Sequence, residues 1–268
     1  MQIELKRIEI LWTGGFDSSF RVSQLSMLPV MIQPYYLSDQ RPSENMELNA
    51  IEEISKIIKK KPATRCEILP LKYIKESERI ISKEISESYW QIRKNHYLGT
   101  QYEWLGCFAS KHKGIELTIE KDDTAIKLIN RLGRLLKIPD ELHGDYYIID
   151  VEHSPKEINS LFEHFRFPLA DMTKQEMKNK YIEWGCDDIM ELTWFCYSPI
   201  DGKPCGQCNP CKYTIEDGLK ERFSKKALRR YRKQKYFSPI LKLESKILKI
   251  TKKAIRKIRS YGQKLGDR

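Results

Sequence analysis

Residues 8–20 read IEILWTGGFDSSF, and this stretch holds the most informative pattern in the chain. Residues 7–12 are largely apolar and predict a short buried strand, and a helix is predicted from about Asp17 to Met27. Between them lies the heptad Thr13–Ser19, with two adjacent glycines. Adjacent glycines let backbone N–H groups turn inward, and a helix N-terminus offers further unpaired N–H groups. The stretch therefore predicts a phosphate-binding loop.

The hydroxyls of Thr13, Ser18 and Ser19 can add hydrogen bonds to phosphate oxygens. No Gly-Lys-Ser/Thr ending follows the glycines, so the loop is not of the Walker type. An ordinary strand–helix turn capped by Asp17 could also carry two glycines. The complete pattern between a strand and a helix favours the phosphate-binding interpretation.

Strands and helices alternate along the chain after this loop. Further strands are predicted over 30–37, 65–71, 115–119 and 146–151, and helices over 44–60, 73–95, 101–113, 124–137, 155–165 and 173–184. Thr173 and Glu176 have the spacing of a capping box. The alternation predicts an α/β fold in which a parallel sheet carries helices on both faces.

Composition restricts the class of protein. Of 268 residues, 40% are hydrophobic and 32% are charged, which is typical of a globular chain. No apolar stretch reaches the roughly 20 residues of a membrane-spanning helix, and residues 1–12 do not read as a signal peptide. We therefore expect a cytoplasmic protein, where thiols stay reduced and a cysteine cluster indicates metal binding or catalysis rather than disulfides.

Four of the seven cysteines lie close together near the C-terminal end. Cys196, Cys205, Cys208 and Cys211 have spacings that suit one tetrahedral Zn²⁺, and the glycines and prolines among them supply turns. An iron–sulfur cluster is the main alternative, since Cys-x2-Cys-x2-Cys also serves such clusters. No histidine lies nearby, which favours a closed, structural zinc knuckle.

Charge is distributed unevenly between two parts of the chain. Residues 224–268 carry 17 Lys or Arg and 2 acidic residues, a net charge of +15. Residues 1–223 carry 31 Lys or Arg and 35 acidic residues, a net charge of −4. We therefore divide the chain into a domain over 1–223, which includes the cysteines, and a basic tail over 224–268. A helix over 213–223 is predicted to close the first part.

The tail has apolar residues at three- or four-residue steps from Ile240 to Leu265, with Lys and Arg at most other positions. This pattern predicts a basic amphipathic helix. RNA, an anionic membrane surface, a partner protein or a second copy of the chain could each bind it. A solvated helix packed on its own domain or within a homodimer is the simplest alternative.

Three segments in a fixed order extend the pattern. They are Phe167-Pro168-Leu169 followed by Thr173–Glu176, then Thr193–Tyr197, then Cys205–Cys211. With Thr13–Ser19, they resemble the 7-cyano-7-deazaguanine synthases of the PP-loop ATP pyrophosphatases. The likeness is loose over residues 7–71 and close over 167–212.

The resemblance implies an adenine-nucleotide α-hydrolase fold, which is Rossmann-like, and a ligase that uses ATP, Mg²⁺ and Zn²⁺. Such enzymes adenylate a carboxylate with release of pyrophosphate, and then use ammonia to form a carbon–nitrogen bond. It implies that Asp17, Ser18 and Lys174 serve catalysis, and that the four cysteines bind zinc. It also implies that the nucleotide is bound by Trp12, Thr13, Gly14, Gly15, Phe16, Asp17, Ser18, Ser19, Phe20, Arg21 and Val22.

The departures from the family pattern fall on the substrate side. The family's Tyr-Pro-Asp-Cys-Arg segment has no counterpart between Ile115 and Phe167, Thr100-Gln101 replaces an Arg-Asn pair, and Thr214 replaces an arginine. We therefore expect a paralogue, of a deazapurine pathway or of a defence system, that acts on another acid, on a nucleobase precursor or even on a protein. A tRNA sulfur transferase that holds RNA with the basic tail, or a non-catalytic nucleotide-binding subunit, are the alternatives.

Overall fold

The computed structural model describes residues 5–236. The chain divides into two compact units, with the boundary between Trp194 and Phe195. We call them the sheet unit and the cysteine unit. Among the helices of residues 5–236, none is both long enough and apolar enough to cross a membrane.

Strands and helices alternate through the sheet unit, as the sequence predicts. In chain order they are β1 (Lys6–Leu11), α1 (Phe16–Ser26), β2 (Val30–Leu37), α2 (Glu44–Lys60), β3 (Glu67–Ile68), β4 (Lys72–Ile74), α3 (Lys83–Asn95), α4 (Gln101–Ala109), β5 (Ile115–Glu116), α5 (Thr124–Leu132), β6 (Leu135–Ile138), β7 (Tyr146–Ile149), α6 (Lys156–Phe162), β8 (Phe165–Arg166), α7 (Lys174–Glu183) and α8 (Asp187–Leu192).

The central sheet has the strand order β3-β2-β1-β5-β8. β4 also pairs with β2, further along that strand than β3 does. Each of these pairings is parallel, and the longest register aligns Lys6–Leu11 with Val30–Tyr35. From β1, the chain first adds β2 on one side of the sheet and later adds β5 and β8 on the other side. The sheet therefore changes direction between β1 and β5, where open α/β sheets bind their ligands.

Alternate residues of the central strands enter two separate cores. Ile8, Ile10 and Trp12 pack with α1, α2, α7 and α8 on one face. Leu11 packs on the other face with α3, α4, α5 and α6. Because successive side chains of a strand point to opposite faces, both faces are apolar and both are covered by helices. The α/β architecture with a mostly parallel sheet is confirmed.

Two predicted elements around residues 65–95 differ from the structure in their extent. The strand predicted over 65–71 is shorter, since β3 covers only Glu67–Ile68 and the chain then passes Pro70, which has no N–H for a strand ladder, before β4 begins at Lys72. The helix predicted over 73–95 begins only at Lys83, where the Ser82 hydroxyl caps it by accepting a hydrogen bond from the Ile85 N–H. Tyr73 instead pairs with Tyr36 in the sheet.

The helix predicted over 124–137 was also too long. It ends at Leu132, since Gly133 is its C-cap in an extended conformation. Leu135–Ile138 then turns back as β6 and pairs antiparallel with β7. This hairpin joins the main sheet through reciprocal backbone hydrogen bonds between Tyr147 and Phe167, at 2.8 and 3.1 Å. It occupies the part of the chain in which the family's substrate segment has no counterpart.

The cysteine unit is described from Phe195 to residue 236. It contains α9 (Asn209–Glu216) and a helix over residues 225–236. The helix predicted over 213–223 was wrong, because α9 ends at Glu216 and Gly218 follows with a φ of +92°. Residues 237–268, which hold the whole of the predicted amphipathic helix, lie outside the described residues.

Candidate active site and metal centre

The predicted phosphate loop lies at the carboxyl end of β1, next to the place where the sheet changes direction. The Trp12 N–H donates to the Tyr35 carbonyl at 2.9 Å and extends the pairing with β2 by one residue. The loop then ends at Gly15, the N-cap of α1, and because this residue is a glycine it offers no side chain to cap the first turn. The amide groups of that turn are thus available to an anion.

Gly14 has a φ of +65°, and a Cβ at this position would lie 2.7 Å from the Glu47 carbonyl oxygen. Its own carbonyl accepts a hydrogen bond from the Trp194 N–H at 2.8 Å. The backbone is therefore held against α2 on one side and against Trp194 on the other. Only glycine satisfies both the conformation and the space.

We expect Gly14→Ala to lower the free energy of unfolding by about 2–5 kcal/mol, from left-handed strain of about 1–2 kcal/mol and overpacking of about 1–3 kcal/mol. Gly185→Ala is the matched control: Gly185 has a φ of +61°, and none of the described residues lies within 4 Å of an added Cβ. It should show only the strain. Urea unfolding of both variants measures the difference, and equal losses would contradict a tightly packed loop.

The three hydroxyls of the loop have different surroundings. Within the described residues, the contacts of the Ser18 hydroxyl are long: it accepts from the Thr13 N–H and donates to the Gly15 carbonyl, both at 3.4 Å. Ser19 is fully buried and accepts from the Trp12 indole N–H at 3.0 Å. Thr13 is exposed. Ser18 and Thr13 can therefore turn to an anion, whereas Ser19 holds Trp12.

Asp17 lies in the first turn of α1 and is the most unusual group in the loop. Its Oδ1 atom is buried and has no hydrogen-bond partner among residues 5–236. Burial raises the pKa of Asp17 to about 6; the ammonium of Lys174 opposes this rise, and the carboxylates of Glu120 and Asp123 add to it. A buried carboxylate oxygen without a hydrogen-bond partner is costly unless a ligand or cation satisfies it.

Glu120 and Asp123 are site residues that sequence reasoning missed. They follow β5, and β5 pairs with β1 at Ile10, so the chain after each strand reaches the same edge of the sheet. Glu120 is only 6% exposed, and burial raises its pKa. Asp123 caps α5 by accepting from the Ala125 N–H at 2.7 Å. The sequence signal that could have identified them is the presence of acidic residues directly after a predicted strand.

Lys174 begins α7, and its charge influences both Asp17 and Glu120. The capping box before it is confirmed: the Thr173 hydroxyl accepts from the Glu176 N–H, and the Glu176 carboxylate accepts from the Thr173 N–H at 2.7 Å. This reciprocal cap fixes the start of α7. It therefore fixes the position from which Lys174 extends.

The remaining loop residues assigned by the resemblance lie mostly inside the protein. Trp12, Phe20 and Val22 are fully buried in the core on the α1 face. The Arg21 guanidinium forms a buried bidentate pair with Glu116 at 2.7 and 2.8 Å, and also donates to the His143 carbonyl. Phe16 is half-buried and packs on the Tyr181 ring. These side chains pack inside the protein and support the loop. Their contacts with a nucleotide remain a prediction.

In the cysteine unit the four predicted ligands converge. The sulfur atoms of Cys196, Cys205, Cys208 and Cys211 all lie within 4.8 Å of one another. Two of the separations are 3.8 Å, between Cys205 and Cys211, and 3.9 Å, between Cys208 and Cys196. Zn–S bonds of about 2.3 Å in a tetrahedron place sulfurs about 3.8 Å apart. The cluster therefore has the size of a single-ion site.

Local backbone structure explains this convergence. Residues 200–203 form a tight antiparallel turn in which Asp201 and Gly202 both have positive φ. Cys208 is the N-cap of α9 and Cys211 lies in its first turn. The Cys205 N–H donates to the Cys196 sulfur at 3.2 Å, and the Cys208 N–H donates to the Cys205 sulfur at 3.3 Å. Such N–H groups and the helix N-terminus favour thiolates.

The first residues of the predicted tail pack against this cluster. The Arg230 Nε donates to the Cys205 carbonyl at 2.8 Å. A Cβ at Gly206 would lie 2.3 Å from the Ala227 carbonyl oxygen, so the helix over 225–236 touches the backbone between Cys205 and Cys208 directly. This helix thus supports the loop that carries two of the ligands.

Comparison with known protein families gives a match in the C-terminal half of the chain. Residues 157–222 match the family described as Queuosine biosynthesis protein QueC. The matched residues contain the Pro168-Leu169 segment, the capping box before α7 and all four cysteines. The match confirms the resemblance to the 7-cyano-7-deazaguanine synthases and supports a PP-loop pyrophosphatase type of synthase in general. No curated protein matches the chain.

Proposed function

We propose that the chain is an ATP-dependent ligase that adenylates the carboxylate of a small-molecule acid with release of pyrophosphate, and then joins the acyl group to ammonia with release of AMP. The observation that carries this proposal is the glycine loop at the carboxyl end of β1, together with the buried Oδ1 of Asp17, which has no hydrogen-bond partner in the described part of the chain. The family match over residues 157–222 supports the same reaction type.

The loop residues suit a triphosphate in this role. Backbone N–H groups at the start of α1, with the hydroxyls of Thr13 and Ser18, would hold the β and γ phosphates. The backbone donors are fixed before ATP binds, so they would stabilise the charge that develops on pyrophosphate as it leaves. The α phosphorus then stays open to attack by a carboxylate oxygen of the acceptor, and Lys174 would neutralise charge on the reacting phosphate.

A Mg²⁺ ion fits the acidic groups of the same site. Carboxylate oxygens are its preferred protein ligands, and it usually takes one or two of them together with substrate phosphates. Asp17 offers the buried Oδ1 that lacks a partner, and Glu120 and Asp123 lie on the neighbouring strand connection. The ion would screen the phosphate oxygens during transfer and would return the Asp17 pKa to the ordinary range.

Zn²⁺ in the cysteine unit would serve the fold rather than the reaction. Four thiolates fill a tetrahedral coordination sphere and leave no open position for water or substrate. A four-iron cluster would bind each thiolate to a different iron and would hold the sulfurs further apart than a single ion does. The sulfur separations therefore favour zinc.

The sulfur transferase alternative requires a reactive thiol beyond the cluster. Burial raises the pKa of Cys66 to about 11, and it also raises the pKa of Cys107 and of Cys186. A reactive cysteine instead has a lowered pKa and partial exposure. These thiols favour the ligase over the sulfur transferase, and they fit a reducing cytoplasm in which no cysteine needs to pair.

The products of ATP cleavage test the proposal. With ATP, Mg²⁺, ammonia and a panel of heteroaromatic carboxylic acids, we expect AMP and pyrophosphate in equal amounts, because attack at the α phosphorus expels pyrophosphate. Ion-exchange chromatography of radiolabelled ATP separates these products from ADP and orthophosphate. ADP as the primary product with an accepted acid would overturn the assignment.

A further inference from the structure

The helix over residues 225–236 carries an unbroken cationic face. Lys225, Lys226, Arg229, Arg232 and Lys233 are all exposed. At 100° per residue they lie within an arc of about 120°, and we call them the cationic face. Residues 195–236 hold 11 Lys or Arg and 4 Asp or Glu, a net of +7, whereas residues 1–194 hold 27 and 31, a net of −4.

The opposite side of this helix is used within the cysteine unit. Ala227 is fully buried against the loop at Gly206, and Arg230 binds the Cys205 carbonyl. Tyr231 and Lys235 both donate to one oxygen of Glu216, at 2.8 and 3.0 Å. The helix is therefore held in place by its apolar and inner polar residues, which fixes the direction of the cationic face.

We propose that the cationic face is a binding surface for single-stranded nucleic acid, with Tyr236 as a stacking platform for one base. Tyr236 is 63% exposed and falls within the same arc as the five cations. Sequence-tolerant binding of single strands combines a cationic track for the backbone with aromatic rings for the bases. This surface supplies both parts on one rigid helix.

The dimensions of the cationic face suit a nucleic-acid strand. From Lys225 to Lys233 the helix rises about 12 Å at 1.5 Å per residue. This length spans three to four phosphates of a strand whose bases are stacked as in a duplex, at about 3.4 Å per nucleotide. A lipid surface fits less well, because interfacial helices turn an apolar face outward. Here Ala227 and Tyr231, on the other side, contact the cysteine unit instead.

The test uses the full chain without ATP, so that its outcome is independent of the proposed ligase activity. Binding of a fluorescein-labelled U20 RNA is followed by anisotropy from 50 to 300 mM KCl. We expect Lys225→Glu/Arg229→Glu/Lys233→Glu to weaken binding at least tenfold at 100 mM. The slope of log K against log salt should become shallower by about 2, at about 0.7 per lost contact with a single strand.

A second triple variant, Lys59→Glu/Lys60→Glu/Lys113→Glu, changes the net charge equally at exposed positions of the sheet unit and should keep nearly all of the affinity. Zinc content is measured on both variants, because the substituted residues face outward and should leave the cluster intact. Equal binding by the wild type and both variants would overturn the proposal. Equal weakening in both would also overturn it, since net charge would then suffice.

Tyr236→Ala separates stacking from charge. We expect about tenfold weaker binding to U20 with an unchanged salt slope, and rescue by Tyr236→Phe, because base stacking needs the ring and not the hydroxyl. Vesicles of phosphatidylserine and phosphatidylcholine are the competing probe. If the cationic-face variant lost vesicle binding while RNA binding stayed intact, the surface would be assigned to lipid and the proposal would fail.

Discussion

Cys208→Ser should release the metal and unfold the cysteine unit. Structural Zn²⁺ contributes roughly 10 kcal/mol or more to folding in small zinc-binding peptides, which is as large as the whole net stability of many domains. The described part of this unit has few other sources of stability, since its buried apolar residues besides three of the cysteines are Ile215, Phe223 and Ala227. A core this small is marginal, and folded segments of about 40 residues commonly need a metal, disulfides or an oligomeric partner.

Metal analysis and circular dichroism on the same samples measure this effect. The wild type should hold about one zinc per chain and be colourless, and Cys208→Ser should hold almost none and lose the helical signal of α9 and of residues 225–236. Cys66→Ser is the matched control, because Cys66 is half-buried in the sheet unit and outside the cluster. A brown wild-type protein with stoichiometric iron would contradict the zinc assignment.

The parts of the fold that depend on neighbours in sequence could be predicted. A strand, two glycines and a helix are adjacent in the chain, so the loop at Gly14 was evident from the sequence. The cap formed by Thr173 and Glu176 spans three residues, and Cys205, Cys208 and Cys211 are spaced by two-residue gaps. In each case the deciding interactions are local, and residue type alone specifies them.

The parts that depend on distant pairing could not be predicted. Glu120 joins the site only because β5 pairs with β1, more than a hundred residues earlier in the chain. Residues 135–138 have an amphipathic pattern that suits a helix, and their pairing with residues 146–149 is what makes them a strand. The close contact between Gly206 and Ala227 could not be predicted from the distribution of charge either. That distribution divides the chain at residue 224 and so separates Gly206 from the helix that carries Ala227.

Asp17→Asn should stabilise the sheet unit above pH 6 and abolish most of the activity. In the native chain without ligands, burial raises the pKa of Asp17 from 3.8 to about 6. A carboxyl group whose pKa is higher in the folded state than in the unfolded state stabilises the fold fully at pH values below its unfolded pKa. This stabilisation is lost as the pH rises from about 4 to about 6. At pH 8 the ionised group thus weakens folding by up to about 3 kcal/mol, at 1.36 kcal/mol per pKa unit.

The asparagine cannot ionise, so the stability of this variant should change less between pH 4 and pH 8 than that of the wild type. Asp140→Asn is the control, for which we expect a change in stability of the opposite sign. Burial raises the pKa of Asp140, but hydrogen bonds from Lys6 and His143 outweigh it and lower the pKa to about 2. Its removal should lower stability at pH 7, and the loss should shrink as pH falls toward 2. Urea unfolding across this pH range compares the two variants.

Activity should respond to Asp17 in the opposite direction to stability. If Asp17 helps to hold Mg²⁺ on the phosphates, its loss removes several kcal/mol of charge stabilisation, which is about a hundredfold or more in rate. The variant would then be more stable and nearly inactive, as expected of a carboxylate that is kept buried for a ligand. Pyrophosphate release measures the rate, and Mg²⁺ titration should show weaker activation. If Asp17→Asn were destabilised at pH 8 and retained its activity, Asp17 would be a structural helix-start residue, and the ATP site would have to be sought elsewhere.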